Sequence, residues 1–411
     1  MRFDRICAAL VVVMAGALTS SAQPVLITAP ATIGPLDTMI TPTAGGAPVA
    51  LATAEITVEG ATLTINGRHA IASLAVVRNG ANQPGVVTHA SGFSFDYSGT
   101  GVDLVTGMHL TVSGAVFVQG AGAGLVESRI DAAGRGFLSA MGPGAGTSAL
   151  RAGGAGHGGA GSDSSQGDAG GGTYGSFENP TEMGSGGGHD TSTSSSTSDG
   201  GPGGGVIRLT VGGTLTVDGL ISANGLGNLV GGWDAGAGSG GSIRIDTGTL
   251  AGTGLITANG GPGGTTVAGA GGGGRVAVYA DSSTLSDLSI RAYGGSHALP
   301  GAAGTVYAKL GTSATPTLII DNGDLPYVNA ITEMAGAVEV PGDLRVRNNG
   351  RLGPVRQDAS LDLAILGDAT VESDGLLFAD GRGFLSAMGP GAGTSALRAG
   401  GAGHGGAGSD S

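Results

Sequence analysis

The sequence predicts an all-β protein, a right-handed parallel β-helix with long glycine-rich loop insertions. Three observations lead there. Glycine supplies 87 of 411 residues but concentrates in 141–205, 225–242, 260–274 and 391–408. Between these stretches lie short β-branched runs of period two, such as Ala61-Thr-Leu-Thr-Ile65 and Val206-Ile-Arg-Leu-Thr-Val211, and helix-period segments are nearly absent. The third observation is repetition. Val206-Ile-Arg-Leu, Ser242-Ile-Arg-Ile, Arg275-Val-Ala-Val and Thr305-Val-Tyr-Ala align, with their second residues spaced by 36, 33 and 30. Repeats of about 20–50 residues indicate a solenoid, propeller or array.

The aligned columns choose the solenoid. Ile207, Ile243, Val276 and Val306 would stack, as would Leu209, Ile245, Val278 and Ala308. Arg208, Arg244, Ala277 and Tyr307 between them would face water, because strand residues alternate faces. Each repeat reaches a closing motif at Ile221-Ser-Ala-Asn-Gly225, Ile256-Thr-Ala-Asn-Gly260, Ile290-Arg-Ala-Tyr-Gly294 and Ile319-Ile-Asp-Asn-Gly323. Asn224, Asn259 and Asn322 would form a ladder, since stacked asparagines hydrogen-bond successive coils. A propeller blade needs four antiparallel strands in about 40–45 residues. Too few strand residues remain here once the glycine-rich part of each repeat is set aside.

In chain order, 1–22 reads as a secretory signal. Arg2 and Arg5 precede the apolar Ile6 to Leu18, and Ser20 and Ala22 suit the small-residue cleavage positions. Residues 23–55 form a lead or cap, and 56–133 the first coils. The glycine-rich insertion follows at 134–205, then coils with 30–36-residue repeats at 206–329. Residues 330–380 start a second module, and 381–411 a second insertion. The stretch 134–164 recurs without change at 381–411. Leu74-Ala-Val-Val-Arg-Asn-Gly80 also resembles Leu344-Arg-Val-Arg-Asn-Asn-Gly350, with extra loop expected around 81–101. An end in mid-repeat suggests the opening modules of a longer protein. For 141–205, composition favours a disordered loop, because Gly, Ser and Asp bury too little to offset chain entropy. A polyproline-II-like glycine bundle packed on the solenoid is the alternative. Phe137, Leu138, Met141 and Leu150 would pin its base in either case.

Charge and cysteine narrow the function. The formal charge is −13, and removing the leader's Arg2, Arg5 and Asp4, a net +1, leaves −14. Lys309 is the sole lysine, and no basic patch is evident, which argues against nucleic acid. The single cysteine, Cys7, lies in the leader, so the mature chain carries no disulfide and no cysteine metal site. No run after the leader approaches a membrane span.

Little chemistry is visible. There is no P-loop, H-E-x-x-H or G-x-S-x-G elbow, and glycine abundance empties any G-x-G-x-x-G match of meaning. Gly158-Gly-Ala-Gly-Ser-Asp163-Ser-Ser-Gln166 is similar to a calcium nonapeptide. Ser165 stands where that motif needs an apolar residue, so Asp163 is the one calcium candidate and no cofactor is expected. His157, His189 and His404 read as solvated, with Glu178, Glu182 and Asp190 the nearest carboxylates. Trp233 and Asp234 could offer a sugar-stacking platform. Glycoside hydrolysis needs two carboxylates at a set separation, and the columns bring none together. No catalytic, cofactor-binding or metal residue is therefore assigned.

Leu-Thr-Val-Asp-Gly at 215–219, Ile-Ser-Ala-Asn-Gly at 221–225 and Gly-Gly-Gly-Arg-Val-Ala-Val at 272–278 resemble the glycine-rich repeats of exported bacterial adhesins and autotransporter passengers. The resemblance covers most of 56–411 and carries over no site. It implies a secreted or cell-surface protein, non-enzymatic and structural or adhesive, whose partners are extracellular polysaccharide or cell-surface components. A carbohydrate-binding or carbohydrate-cleaving β-helix is the alternative. The mature chain is expected to begin near Gln23. Edman sequencing of exported material should show that start, and retention of Met1 would contradict it.

Overall fold

The computed structural model describes residues 21–191, 199–228, 234–264, 267–326, 330–355, 361–384, 386 and 388–392. Among them the regular structure is strand. There is no α-helix, only the short 3-10 turns Leu51–Thr53 and Asp287–Ser289.

Most strands are parallel and lie in a 13-stranded and a 7-stranded sheet, which the chain visits alternately. Gln23–Ile27, Ala54–Glu59, Ser73–Val77, Val116–Val118, Val206–Val217, Ser242–Ala251, Arg275–Ser283 and Thr305–Leu310 follow one another in the first. Ala31–Ile33, Thr62–Ile65, Val86–Thr88, Arg129–Asp131, Leu220–Ser222, Leu255–Thr257 and Ile290–Arg291 follow one another in the second. The lead segment 23–55 thus already supplies strands to both. The 12-residue Val206–Val217 pairs with Met108–Val112 along its first half and with Val116–Val118 along its second. The extra length near 81–101 includes Ser94–Asp96, which pairs antiparallel with Leu104–Thr106.

Register follows the expected columns. Ile207, Ile243, Val276 and Val306 are direct partners, as are Leu209, Ile245, Val278 and Ala308. All eight belong to one apolar cluster shared by both sheets. Burying each isoleucine, leucine or valine contributes about 1.5–3 kcal/mol, so these columns dominate the first sheet's stability. The asparagines also bridge successive repeats. Asn224 Oδ1 accepts from Asn259 N at 2.7 Å, and Asn259 Oδ1 from Tyr293 N at 2.8 Å.

The fourth repeat departs from the alignment. Thr317–Asp321 runs antiparallel to Thr305–Leu310, with Val306 opposite Ile319. Ile319-Ile-Asp-Asn-Gly323 therefore joins the first sheet, not the second. The chain bends at Gly311, and Pro316, lacking an N–H, precedes the returning strand. From there Thr317–Asp321, Asp343–Arg347 and Ala369–Val371 run parallel to one another. A buried ion pair marks the junction: Arg347 Nε lies 2.7 Å from Asp321, and its Nη1 reaches Asp287 of the preceding block at 3.0 Å.

The larger correction concerns glycine. The described part of 141–205 is not a loose loop but a hydrogen-bonded body shared with the glycine segments of later repeats. Gly269 and Gly272 donate to Ala152 and Ala155. Ala270 and Gly273 donate to Leu299 and Ala302, and Gly271 and Gly274 to Gly261 and Ala258. Successive amides thus face three neighbours and each neighbour recurs every third residue, the periodicity of polyproline II. The same pattern links Ala237 and Gly240 to Gly269 and Gly272, and Gly238 and Gly241 to Leu226 and Ala223. Leu138, Met141 and Leu150, expected to pin the base, are 58%, 56% and 64% exposed. Phe137 is tied in through backbone bonds to Gly184 and Gly203, and Met141 through its carbonyl alone, which accepts from Gly186 N at 2.9 Å.

A β-carbon on Gly236 would collide with the carbonyl oxygen of Gly153, whereas one on the exposed Gly122 would meet nothing. Gly236→Ala should therefore cost at least about 2 kcal/mol by overpacking, and Gly122→Ala close to nothing. Urea melts of the two variants check this, and equal stability would contradict the bundle.

Candidate functional site

Residues 173–183 leave the bundle and lie across the outer face of the first sheet. Side chains of that face reach up to their backbone. Arg275 Nε donates to Tyr174 O at 2.7 Å, and Ser242 Oγ to Glu182 O at 2.6 Å. Arg244 Nη1 and Tyr279 Oη donate to Glu178 O at 3.0 and 2.9 Å. Phe177 meets Tyr307 edge-on at 5.4 Å, and the Arg244 guanidinium lies 4.8 Å above the Tyr279 ring. The expected wet row is therefore partly covered: Ala277 is 0% and Tyr307 2% exposed, and Arg244 is a tether. Strand alternation sets which side Arg244 faces. It carries no information about a distant segment folding over that side.

Sequence alignment of the later repeats also hides a basic row. In register, Arg68, His109, Arg208 and Arg244 stand side by side on adjacent strands, at a spacing of about 4.8 Å. Its ends are neutralised. Arg68 pairs with Asp103 at 2.9 Å, and Arg244 holds both oxygens of Asp246 at 2.9 and 3.0 Å. Arg208 bonds the neutral Asn179 at 3.3 Å and has no ion-pair partner among the described residues. Desolvation, then its arginine neighbours, hold Arg208 below the usual arginine range. His109 Nε2 is buried without a hydrogen-bond partner, and burial followed by Arg208 and Arg68 lowers its pKa to about 4. Beside this row, Thr111 and Thr210 are partners on adjacent strands and are exposed.

Two further clusters are interior. His157, expected in solvent, is fully buried in the bundle. Its Nδ1 donates to Gly240 O at 2.9 Å and its ring packs 4.5 Å from Tyr174. Burial, then Arg275, pushes its pKa to about 3. His89 accepts at Nε2 from Val206 N at 3.1 Å, so its proton sits on Nδ1, which donates to Ala90 O at 2.7 Å. Its pKa falls to about 4, chiefly through burial. Arg275, buried with Tyr174 and Thr305 as partners, is lowered to about 10 by desolvation.

A cleft of about 530 Å³ is lined by Leu138, Ser139, Met141, His189, Asp199 and Pro202. It gathers a hydroxyl, an imidazole and a carboxylate. Ser139 Oγ at 3.3 Å and Asp199 at 3.1 Å, however, approach the same ring nitrogen, Nδ1. A nucleophile–base–carboxylate relay uses opposite nitrogens, and Ser139 Oγ is also held by Gly200 N at 2.6 Å.

The other candidates are dispersed. Trp233 and His404 lie outside the described residues. Asp234 enters the bundle, its carbonyl accepting from Ala152 N at 2.7 Å. Asp163 is exposed, and its Oδ1 accepts from Gly170 N at 2.9 Å. Glu178 and Glu182 lie in the crossing segment, while Asp190 bridges to Ala149. Among the described residues, no group of three His, Cys, Asp or Glu is placed to hold a metal ion, and no helix is long and apolar enough to cross a membrane. No protein-family model, curated protein or solved structure matches the chain.

The buried imidazoles set a pH dependence. Their folded pKa values, about 3 to 4, lie below the unfolded value of about 6.5. The unfolded chain therefore binds more protons as pH falls, and stability declines from about pH 6.5 toward pH 4. His89 and His157 should each contribute on the order of 3 kcal/mol to that loss. Denaturant melts at pH 7 and pH 4.5 of His157→Gln against the parent should show a flatter slope for the variant. An unchanged slope would contradict a buried neutral His157.

Proposed function

We propose that the chain is an exported, non-enzymatic surface or extracellular-matrix protein with a structural or adhesive role. Its two sheets are read as walls of a right-handed parallel β-helix, with the glycine bundle packed along one side. One observation carries this reading. The first copy of the perfect repeat, 134–164, contributes interior packing. Gly154 and Gly158 are hemmed in by backbone of Ala270 and Gly274 in later repeats, Gly153 and Gly156 by backbone of 169–172 in the same insertion, and the buried His157 bonds Gly240. What the chain repeats without change is therefore a building element and not a reactive site. Duplicating such an element lengthens a body whose coils contact mainly their neighbours.

Strand alternation between two parallel sheets, in-register columns and the asparagine bridges support the coil reading. The charged start, apolar run and small residues of 1–22 support export.

Antibody labelling of intact cells and assay of the purified chain on polysaccharides test this. Surface labelling, loss of surface attachment on deletion of the gene, and no release of reducing ends are expected. A cytosolic product would contradict export, and depolymerisation would contradict the non-enzymatic role.

A further inference from the structure

We propose that the row Arg68, His109 and Arg208, with the hydroxyls of Thr111 and Thr210 beside it, is a binding face for an anionic polysaccharide. The extracellular reading supplies only the source of that ligand, and binding itself does not rest on export.

Arg208 and Arg244 stand directly opposite on neighbouring strands and repel, while the neutral His109 separates Arg208 from Arg68. The fold offsets that repulsion at the two ends of the row, through Asp103 on Arg68 and Asp246 on Arg244. At the centre it supplies Arg208 with one neutral amide oxygen, that of Asn179. His109, its partner on the adjacent strand, is kept neutral by burial and supplies no countercharge. A centre with unspent positive charge beside exposed hydroxyls suits a ligand that brings both an anion and hydroxyl groups. A guanidinium binds a planar carboxylate or a sulfate through two parallel N–H bonds, and sugar hydroxyls can pair with the exposed hydroxyls of Thr111 and Thr210.

The spacing favours a polymer. Adjacent strands repeat at about 4.8 Å, about the length of a pyranose unit, so successive sugars can meet successive strands. The exposed Thr111 and Thr210 form a parallel line of hydroxyls on the same face. Nucleic acid fits less well. Duplex DNA carries one charge per about 1.7 Å, and a chain of net charge −13 repels so dense a polyanion beyond the row itself.

Isothermal titration of the folded chain with polygalacturonate, dextran sulfate and neutral dextran, at low and physiological salt, tests the face. A charged polymer should bind, more weakly as salt rises, and dextran should not. Preference between the two probes then assigns carboxylate or sulfate. Arg68→Gln/Arg208→Gln should weaken binding by about tenfold or more with an unchanged melting profile, and Arg129→Gln on the other sheet should leave it intact. Thr210→Glu, an exposed change that needs no repacking, should weaken it as well. Equal binding of dextran, unchanged binding by all row variants, or tighter binding of a DNA duplex would overturn the proposal. Export failing while binding persists would sink the surface role alone.

Discussion

The structure rests on how closely backbones approach where side chains are missing. At Gly153, Gly236 and Gly272 the neighbouring carbonyls occupy the space a β-carbon would need. That closeness lets consecutive amides bond three different segments. The arithmetic explains why such a bundle is built into a larger body. Fixing one residue's backbone costs about 1–2 kcal/mol, and one backbone hydrogen bond returns a net of about 0.5–1.5 kcal/mol. A bundle of glycine alone would sit near balance. The apolar columns of the sheets supply the surplus, because Ile207, Ile243 and Val276 bury large side chains while fixing no more backbone.

Two devices join these parts. The crossing segment fastens the insertion to the outer face through Arg244, Arg275, Ser242 and Tyr279, each donating to a backbone carbonyl. Arg347, shared by Asp287 and Asp321, fastens the reversed block to the one before it. Removing either acid would leave a buried guanidinium short of a partner, which is costly in a dry interior. The buried imidazoles belong to the same economy. His89 and His157 are held neutral chiefly because burial strips the solvation a charged ring needs; His89 spends both ring nitrogens on backbone and His157 one.

The strands and their columns were legible because period two and a 30–36-residue repeat are local signals, and Ile243 and Val276 are adjacent as aligned. The bundle was the less favoured reading. Composition shows that glycine buries little side chain, but not that its backbone can satisfy itself against other glycines far along the chain. The fourth repeat misled because Ile319-Ile-Asp-Asn-Gly323 keeps the right residues while Gly311 and Pro316 reverse the chain before it. Asp321, standing where the earlier motifs carry alanine, was the available sign of a junction. The basic row was invisible for a different reason. Arg68 and His109 precede the insertion, and only pairing across it sets His109 beside Arg208. Asp234, read from the sequence as half of a sugar platform, is instead drawn into the bundle through its carbonyl.

A folded glycine insertion changes what repetition means in this chain: each module would add rigid length. The claim on which that stands is that the insertion and the parallel sheets are one cooperative body. Amide hydrogen exchange tests it residue by residue. The account predicts that the amides of Gly153, Gly187, Gly236 and Gly272 exchange as slowly as those of Ile243 and Val276, through global unfolding. Exchange of the glycine amides within the dead time, beside protected strand amides, would contradict it.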